Sequence, residues 1–350
     1  MARAGQATLG MSQAGAEILQ KDITSDSNSV AGLVPILART MAPGPALSSM
    51  VSQAIKVMSK SIENLTGEKG TCSTINFYEW TRHEMLMATT DAVFGPENPY
   101  HDPAVESAWR TFESAYLTIS LSPFKTLTAR KAFRAREFLA STFVSYLEKG
   151  GPKSASEFVR TAHTHNVSHG FSIDDLARFE VGHTHAITGS TGPTTWWLLW
   201  HLYSDMAVLR DVREELEQLA ESSPSTPKQK TLNLAQLYTR APILHSTLKE
   251  VLRLRTMATA VRLYLDDQLL QDKYLLKKGA GHFLCPGRHF SMSEILAFSA
   301  IMVLRFDLKP TAGEWVEPTS DNTPMVSSLH IPDEDIEVEV RERHNRIAIQ

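Results

Sequence analysis

The sequence predicts a mainly α-helical protein with a small β part, folded as a single domain. Helical spacing of apolar residues runs through most of the 350 residues, whereas strand-like alternation is confined to a stretch before residue 280 and to DIEVEVRER, Asp335–Arg343. A content of 42% hydrophobic and 21% charged residues is typical of a globular chain that buries a large core. No internal repeat divides the chain.

The first half of the chain is predicted to contain three or four helical regions. A weakly amphipathic region covers Ser29–Ser61 and is interrupted by prolines, and stronger helices are predicted over Phe77–Val93, Ala104–Ile119 and Pro123–Glu148. The turn-rich sequence GPENPYHDP separates the second region from the third.

The middle of the chain is predicted to hold one long helix and one amphipathic helix. Ser172, with Asp175 three residues on, indicates a helix start, and the apolar pattern continues to about Tyr203. Asp205–Glu221 is charged and amphipathic, and the polar run Ser222–Lys230 is predicted to be a surface loop.

The last third is predicted to alternate between helices and short strands. Pro242 stands where a first helical turn begins, and two or three short strands follow that helix. An apolar helix is then predicted over Phe290–Phe306.

Charge and cysteine content exclude several classes of protein. The net charge of −4 gives no indication of nucleic acid binding. Two cysteines, Cys72 and Cys285, are too few for a disulfide framework, which favours a reducing compartment. The first residues contain no apolar block of signal-peptide or membrane-anchor length.

The most informative motif is the loop GAGHFLCPGRHF at residues 279–290, which carries Cys285. Glycines before the cysteine, among them Gly281, allow a flat group to approach the backbone closely. Proline follows the cysteine and fixes the chain, so that the amides of Gly287 and Arg288 are expected to point back at the sulfur. This pattern is suited to a thiolate ligand lying under a planar macrocycle.

Two further motifs precede this loop in the chain. Glu250 and Arg253 are three residues apart on a predicted helix, where they share a face and pair. The sequence AITGSTGPTTWWLLW, 186–200, places two glycines and a proline inside an apolar helix, which predicts a break in its hydrogen bonds.

Together, these three motifs in this order resemble the cytochrome P-450 family. Residues 186–200 correspond to the family's distal helix, which crosses the haem face opposite the cysteine. Their sequence is most similar to the subgroup with prostacyclin synthase, the sterol 7α- and 12α-hydroxylases and their fungal relatives. The resemblance implies a haem cofactor with Cys285 as the axial iron ligand, in a loop with Gly281, Gly287 and Arg288. It also implies that Arg262 binds a haem propionate, with Arg288 as a second candidate, and gives Glu250 and Arg253 a structural role.

The resemblance implies a monooxygenase that oxidises a lipophilic small molecule of the sterol, lipid or secondary-metabolite class. Electrons would come from NADPH through a reductase partner. In the distal helix, Gly189 stands at the position of the family's acid and Ser190 at that of its alcohol, so Ser190 and Thr191 are the candidate catalytic hydroxyls. A haem-thiolate isomerase acting on a peroxide is an alternative, as is an inactive fragment or mis-joined gene product that cannot hold haem.

The chain departs from the family in two places. The N-terminal region expected in the family is missing, and KYLLKKGA runs directly into the cysteine loop, which indicates an internal deletion near residues 278–281. The fold is therefore expected to be an incomplete version of the family's, as one domain over residues 1–350. Family members lie at the endoplasmic reticulum membrane surface, whereas the absence of an anchor here leaves a cytoplasmic location open.

Overall fold

The structure, a computed structural model, describes most of the chain. The described residues are 5–24, 29–63, 65, 72–122, 124–223, 226–257, 267–270, 273–276, 285–324, 327–343 and 347–349. They are mainly helical with small, mostly antiparallel sheets, which confirms the predicted fold class.

The helices and strands are numbered in chain order. The helices are α1 Gln13–Thr24, α2 Ser29–Thr40, α3 Pro45–Glu63, α4 Phe77–Phe94, α5 Pro103–Ser114, α6 Tyr116–Leu121, α7 Lys125–Thr128, α8 Arg130–Glu148, α9 Glu157–Ser168, α10 Ile173–Thr188, α11 Thr191–Ser204, α12 Met206–Leu219, α13 Leu237–Arg240, α14 Pro242–Arg255 and α15 Arg288–Arg305. The strands are β1 Ser73–Asn76, β2 Glu221–Ser223, β3 Thr226–Leu232, β4 Gln268–Leu270, β5 Tyr274–Leu276, β6 Phe306–Pro310, β7 Glu337–Glu342 and β8 Ala348–Ile349.

Local capping signals predicted several helix starts correctly. The hydroxyl of Ser172 accepts the amide of Asp175 at the start of α10, and the carboxylate of Asp205 accepts two amides at the start of α12. Pro242 occupies the first turn of α14, where its missing N–H has no helical partner to lose.

Three predictions of secondary structure were wrong. The helix predicted over Pro123–Glu148 is divided at Ala129 into α7 and α8. The polar segment 222–230 is not a loop, because most of it pairs as the antiparallel strands β2 and β3. The helix predicted over Ala104–Ile119 is divided at Ala115, whose φ of −109° and ψ of 15° end α5. No glycine or proline marks this break in the sequence.

The main sheet joins distant parts of the chain in the order β1-β7-β6. Strand β7 lies in the middle and pairs antiparallel with both neighbours, opposing Val340 to Ser73 on one side and to Leu308 on the other. Val338 and Val340 are fully buried because alternate residues of β7 face the helices.

The core lies where α4, α11 and α15 pack together. Trp196 of α11 is fully buried, and its ring centroid lies 6.0 Å from that of Phe77 and 5.6 Å from that of Tyr78. Phe298 of α15 packs against Trp80 at 5.7 Å. Burial of each such side chain contributes about 1.5–3 kcal/mol to folding.

The long helix predicted to run to Tyr203 is broken into α10 and α11, as its glycines and proline indicated. Gly189 ends α10 and its amide donates to the carbonyl of His185, while Pro193 lies in the first turn of α11. Gly192 has a separate role. A Cβ atom there would lie 3.3 Å from Cγ and 3.5 Å from Cα of Arg82, so this glycine allows α4 to approach closely.

Candidate functional site

The break between α10 and α11 opens onto a cavity of about 400 Å³. Its other walls come from α4, from α5 and from described residues in the segment 324–331 near the C-terminus. A volume of this size is within the usual range for small-molecule sites. The cavity is therefore the candidate functional site.

The cavity wall is amphipathic. Met85, Leu86, Trp109 and Ile331 supply apolar surface. The hydroxyl-bearing side chains of Ser190, Ser327 and Ser328 also line it, and the described residues offer no hydrogen-bond partner to these three hydroxyls. Such a wall suits a lipophilic molecule that carries at least one polar atom.

Charged side chains in the wall form one continuous set of ion pairs. Arg82 bonds Glu79 and Glu113, each at 3.0 Å, and Arg110 bonds Glu79 at 3.0 Å and Glu106 at 2.6 Å. These pairs join α4 to α5. Each guanidinium in the wall is therefore already bound to two carboxylates.

Burial and charge shift the pKa values of groups in the wall. Burial raises the pKa of the Glu113 carboxyl, against the opposing influence of Arg82 and Arg110. Burial also lowers the pKa of His185 to about 4, so this imidazole is neutral at physiological pH. His185 stacks on Tyr116 with ring centroids 4.1 Å apart.

Two buried polar atoms beside the cavity have no hydrogen-bond partner within the described ranges. They are the hydroxyl oxygen of Tyr78 and Nδ1 of His185, and both residues contribute to the wall. The guanidinium of Arg82 lies over the Tyr78 ring, 5.3 Å from its centroid. Burial raises the pKa of Tyr78, which keeps its hydroxyl protonated.

Both candidate catalytic hydroxyls lie at the cavity, but they differ in hydrogen bonding. The hydroxyl of Thr191 is buried and donates to the carbonyl of Thr188 at 3.2 Å. The hydroxyl of Ser190 makes no such bond to described residues. Ser190 is thus the one of the two whose hydroxyl is free to contact a bound molecule.

Cys285 lies apart from this cavity. It is an exposed free thiol just before α15, and it does not belong to the cavity wall, nor do Gly287 and Arg288. The expectation that the Arg288 amide points at the sulfur was wrong. This amide donates to the carbonyl oxygen of Cys285 at 3.3 Å, and Nη1 of the Arg288 side chain donates to the same oxygen at 3.1 Å.

Glu250 and Arg253 form the expected pair on α14, with bonds of 2.8 and 2.6 Å. Their side chains are 56% and 67% exposed, so water solvates both charges. The remaining two candidates, Gly281 and Arg262, lie outside the described residues.

Sequence reasoning missed the residues that the fold brings to the cavity from afar. Arg82 and Glu113 lie on separate helices, and Ser327 and Ser328 lie more than 130 residues beyond Ser190 in sequence. The sequence contained one signal for the contact between α4 and α11. Gly192 lies inside an apolar helix, and a glycine in that position indicates that another backbone approaches closely. No local pattern indicated the serines.

Comparisons with known proteins agree with the fold and with the family resemblance. The family model of cytochrome P450 matches residues 33–281. The chain is 28% identical to the cytochrome P450 monooxygenase nodJ of Hypoxylon pulicicidum over 86% of this chain and 69% of that protein. It is 27% identical to a human 7-alpha-hydroxycholest-4-en-3-one 12-alpha-hydroxylase over 35% of this chain and 36% of that protein.

A solved structure has the same fold. Retinoic-acid-bound cyanobacterial CYP120A1 superimposes with a TM-score of 0.64, at 16% sequence identity, over 88% of this chain and 78% of that one. With the family match over residues 33–281, the chain belongs to the cytochrome P450 family of haem-containing oxidoreductases. The family uses a haem with a cysteine thiolate ligand and receives electrons from a redox partner.

The chemistry of Cys285 fits the role of haem ligand. Its thiol is unpaired and exposed, and no described residue donates a hydrogen bond to its sulfur. A Cβ atom at Gly287 would stand 3.9 Å from Sγ, so the glycine keeps that side of the sulfur open. Arg288 supplies a nearby exposed cation that suits a propionate.

None of the helices in the described part of the chain is both long enough and apolar enough to span a membrane.

Proposed function

We propose that this protein is a haem-thiolate monooxygenase that oxidises a lipophilic small molecule of the sterol, lipid or secondary-metabolite class. The observation that carries the proposal is the amphipathic cavity beside Ser190, in a chain of the cytochrome P450 family. Apolar residues would hold the body of the substrate, and the free serine hydroxyls would orient it.

Cys285 is proposed as the axial ligand of the haem iron, with Gly281, Gly287 and Arg288 around it. Arg262 and Arg288 are proposed to hold the propionates. When bound, the haem would supply reductive activation of dioxygen. Glu250 and Arg253 are proposed to stabilise α14 as a solvated pair rather than through a buried network.

The chain's own contribution to proton handling is proposed to come from Ser190. Its hydroxyl faces the cavity and is free to hold a water or to pass a proton at Oγ. Thr191 is proposed to have a supporting role, because its hydroxyl is bound to the carbonyl of Thr188 and stabilises the start of α11. Trp109 and Leu86 help to exclude bulk water from the cavity.

The ligand assignment is tested by the spectrum of the reduced carbon monoxide adduct. The purified chain, reconstituted with haem, is expected to give the red-shifted Soret band that thiolate ligation produces. Cys285→Ser is expected to abolish this band, whereas Cys72→Ser, the matched control at the other free cysteine, is expected to keep it. A thiolate spectrum that persists in Cys285→Ser would contradict the assignment. Absence of haem binding would favour an inactive or mis-joined gene product.

The reaction type is tested by the requirement for electrons. A monooxygenase needs NADPH and a reductase for each turnover, whereas an isomerase that acts on a peroxide needs neither. Turnover of lipophilic substrates is therefore measured with and without the reductase and NADPH. In Ser190→Ala, we expect less product per NADPH consumed, with Ser141→Ala, at an exposed position on α8 outside the cavity wall, as the control.

We further propose that residues 1–350 form one domain, with an internal deletion near residues 278–281. The strands of the main sheet support a single domain, since β1 pairs with β7 across more than 250 residues of sequence. Sequencing of the transcript across Lys277–Gly281 tests the deletion.

Two cellular locations are proposed for the protein, the membrane surface of the endoplasmic reticulum and the cytoplasm. Fractionation of the expressed protein distinguishes them.

A further inference from the structure

We infer that the cavity selects an uncharged lipophilic molecule with a hydroxyl or carbonyl oxygen and rejects a carboxylate of the same shape. This inference rests on the proposed oxidation of a lipophilic substrate in this cavity and narrows its substrate class. It follows from how the charged and polar groups of the wall are paired.

The positive charges of the arginines at the cavity are already compensated. The two terminal nitrogens of Arg82 bind Glu79 and Glu113, one each. Those of Arg110 bind Glu79 and Glu106. A ligand carboxylate would therefore meet guanidinium groups that already share their charge with protein carboxylates.

The charge balance of this set opposes an acid as well. Two guanidinium groups face the three carboxylates of Glu79, Glu106 and Glu113, and His83 shares Glu106 through a 2.8 Å contact. These charges compensate one another, so one further negative charge would enter the site without an uncompensated cation among the described residues of the wall. An uncompensated charge in such a place is unfavourable.

Besides the buried hydroxyl of Tyr78, three serine hydroxyls remain to recognise an uncharged polar atom. Ser190 lies at the helix break, while Ser327 and Ser328 belong to the wall formed by residues 324–331. None of the three hydroxyls has a partner in the part of the chain that the structure describes. A hydroxyl both donates and accepts, so these serines match an alcohol or a ketone without any change of charge.

The preference is tested with retinol and retinoic acid, which share one apolar skeleton and differ at the polar end. Equilibrium dialysis of the full chain against each compound gives the two dissociation constants. We expect retinol to bind at least about ten-fold more tightly than retinoic acid, a difference of about 1.4 kcal/mol. Retinoic acid binding as tightly as retinol, or no binding of retinol, would overturn the inference. This comparison requires no variant to fold.

Two variants test the cause of the preference. Glu113→Gln removes one of the two carboxylates that bind Arg82. This variant is expected to bind retinoic acid several-fold more tightly, with little change in its affinity for retinol. Its control is Glu339→Gln, which breaks a similar 2.9 Å ion pair with Arg341 on the main sheet.

The double variant Ser327→Ala, Ser328→Ala is expected to weaken the binding of retinol several-fold, whereas Ser141→Ala, on α8, is not. Unchanged retinol affinity in the double variant would contradict the role of these hydroxyls.

Failure of this inference is separable from failure of the proposed function. The same dialysis is performed with Cys285→Ser, which alters the proposed haem ligand but no residue of the cavity wall. Suppose that this variant still prefers retinol and that the wild type gives no thiolate spectrum. The proposed monooxygenase function would then be contradicted, while the inferred ligand selectivity would stand.

Discussion

Thr89 and Glu294 form a hydrogen bond of 3.0 Å in the core, between α4 and α15. Both side chains are fully buried, and the second carboxyl oxygen of Glu294 has no partner among the described residues. Burial raises the pKa of Glu294 well above the ordinary carboxyl value, with a smaller opposing effect from the Thr89 hydroxyl. The native core therefore holds this residue as a neutral acid.

Stability is expected to fall with rising pH because of Glu294. Its pKa in the folded state is higher than the 4.5 of the unfolded state, so its contribution is complete below pH 4.5 and is lost as pH rises toward the folded pKa. The slope is at most about 1.4 kcal/mol per pH unit. In Glu294→Gln, the free energy of unfolding, measured in urea between about pH 5 and pH 8, should vary less with pH. Glu148→Gln, at an exposed position, should behave like the wild type. Equal slopes in wild type and Glu294→Gln would show that the core holds no neutral acid there.

His185 is expected to have the opposite effect on the acid side. Burial lowers its folded pKa to about 4 from 6.5, so its stabilising contribution is complete above pH 6.5 and is lost as pH falls toward 4. The loss amounts to about 3 kcal/mol over that range. Urea unfolding of His185→Phe, which retains an aromatic ring beside Tyr116, should lose this acid sensitivity. His101→Phe, at a half-exposed ion-paired histidine, is the control. An acid slope that survives in His185→Phe would mean that the imidazole is solvated.

Asp335 is expected to stabilise α4 from the far end of the chain. Its two carboxylate oxygens accept the amides of Tyr78 at 2.6 Å and Glu79 at 2.9 Å, in place of a side-chain cap from Asn76. Asp335→Ala should lower the free energy of unfolding by about 1–2 kcal/mol, the usual effect of losing an N-cap. Hydrogen exchange of the Tyr78 and Glu79 amides should accelerate more than that of the rest of α4. Asp211→Ala, which removes an exposed carboxylate on α12, should change neither quantity.

Glu250 and Arg253 are expected to contribute little to the stability of this chain. Both charges are solvated, so removal of either one leaves no buried charge behind. Glu250→Gln and Arg253→Gln should therefore have the urea midpoint of the wild type. A large fall in midpoint for either variant would indicate that the pair is buried in solution. Arg82→Gln, which breaks the partly buried pairs with Glu79 and Glu113, should lower the midpoint clearly.

Local chemistry made much of the fold predictable from sequence. Ser172 caps α10, Pro242 begins α14, and the helix predicted to run to Tyr203 is broken at Gly189, since each acts within a few residues of itself. The break at Ala115 was not predictable in this way, because no glycine or proline marks it, and the pairing of β2 with β3 depends on contacts between two segments of the chain.

The candidate site was predictable only in part, for the same reason. Ser190 and Thr191 were found because the motif around them has a distinctive sequence. The ion pairs of Arg82 and the hydroxyls of Ser327 and Ser328 reach the cavity through tertiary packing, which leaves no periodic signal in the sequence. The exposure of Glu250 was also unpredictable, since the spacing of two residues on a helix shows that they pair but not how deeply they lie.

The pairing of β1 with β7 has a consequence for the order of events during synthesis. Strand β1 and the start of α4 leave the ribosome more than 250 residues before their partners, β7 and Asp335. Helix α4, which forms one wall of the cavity, therefore has its first turn fixed only after those later residues have left the ribosome. Ribosome-bound chains that end before residue 335 would lack the finished cavity, however well their local helices have formed.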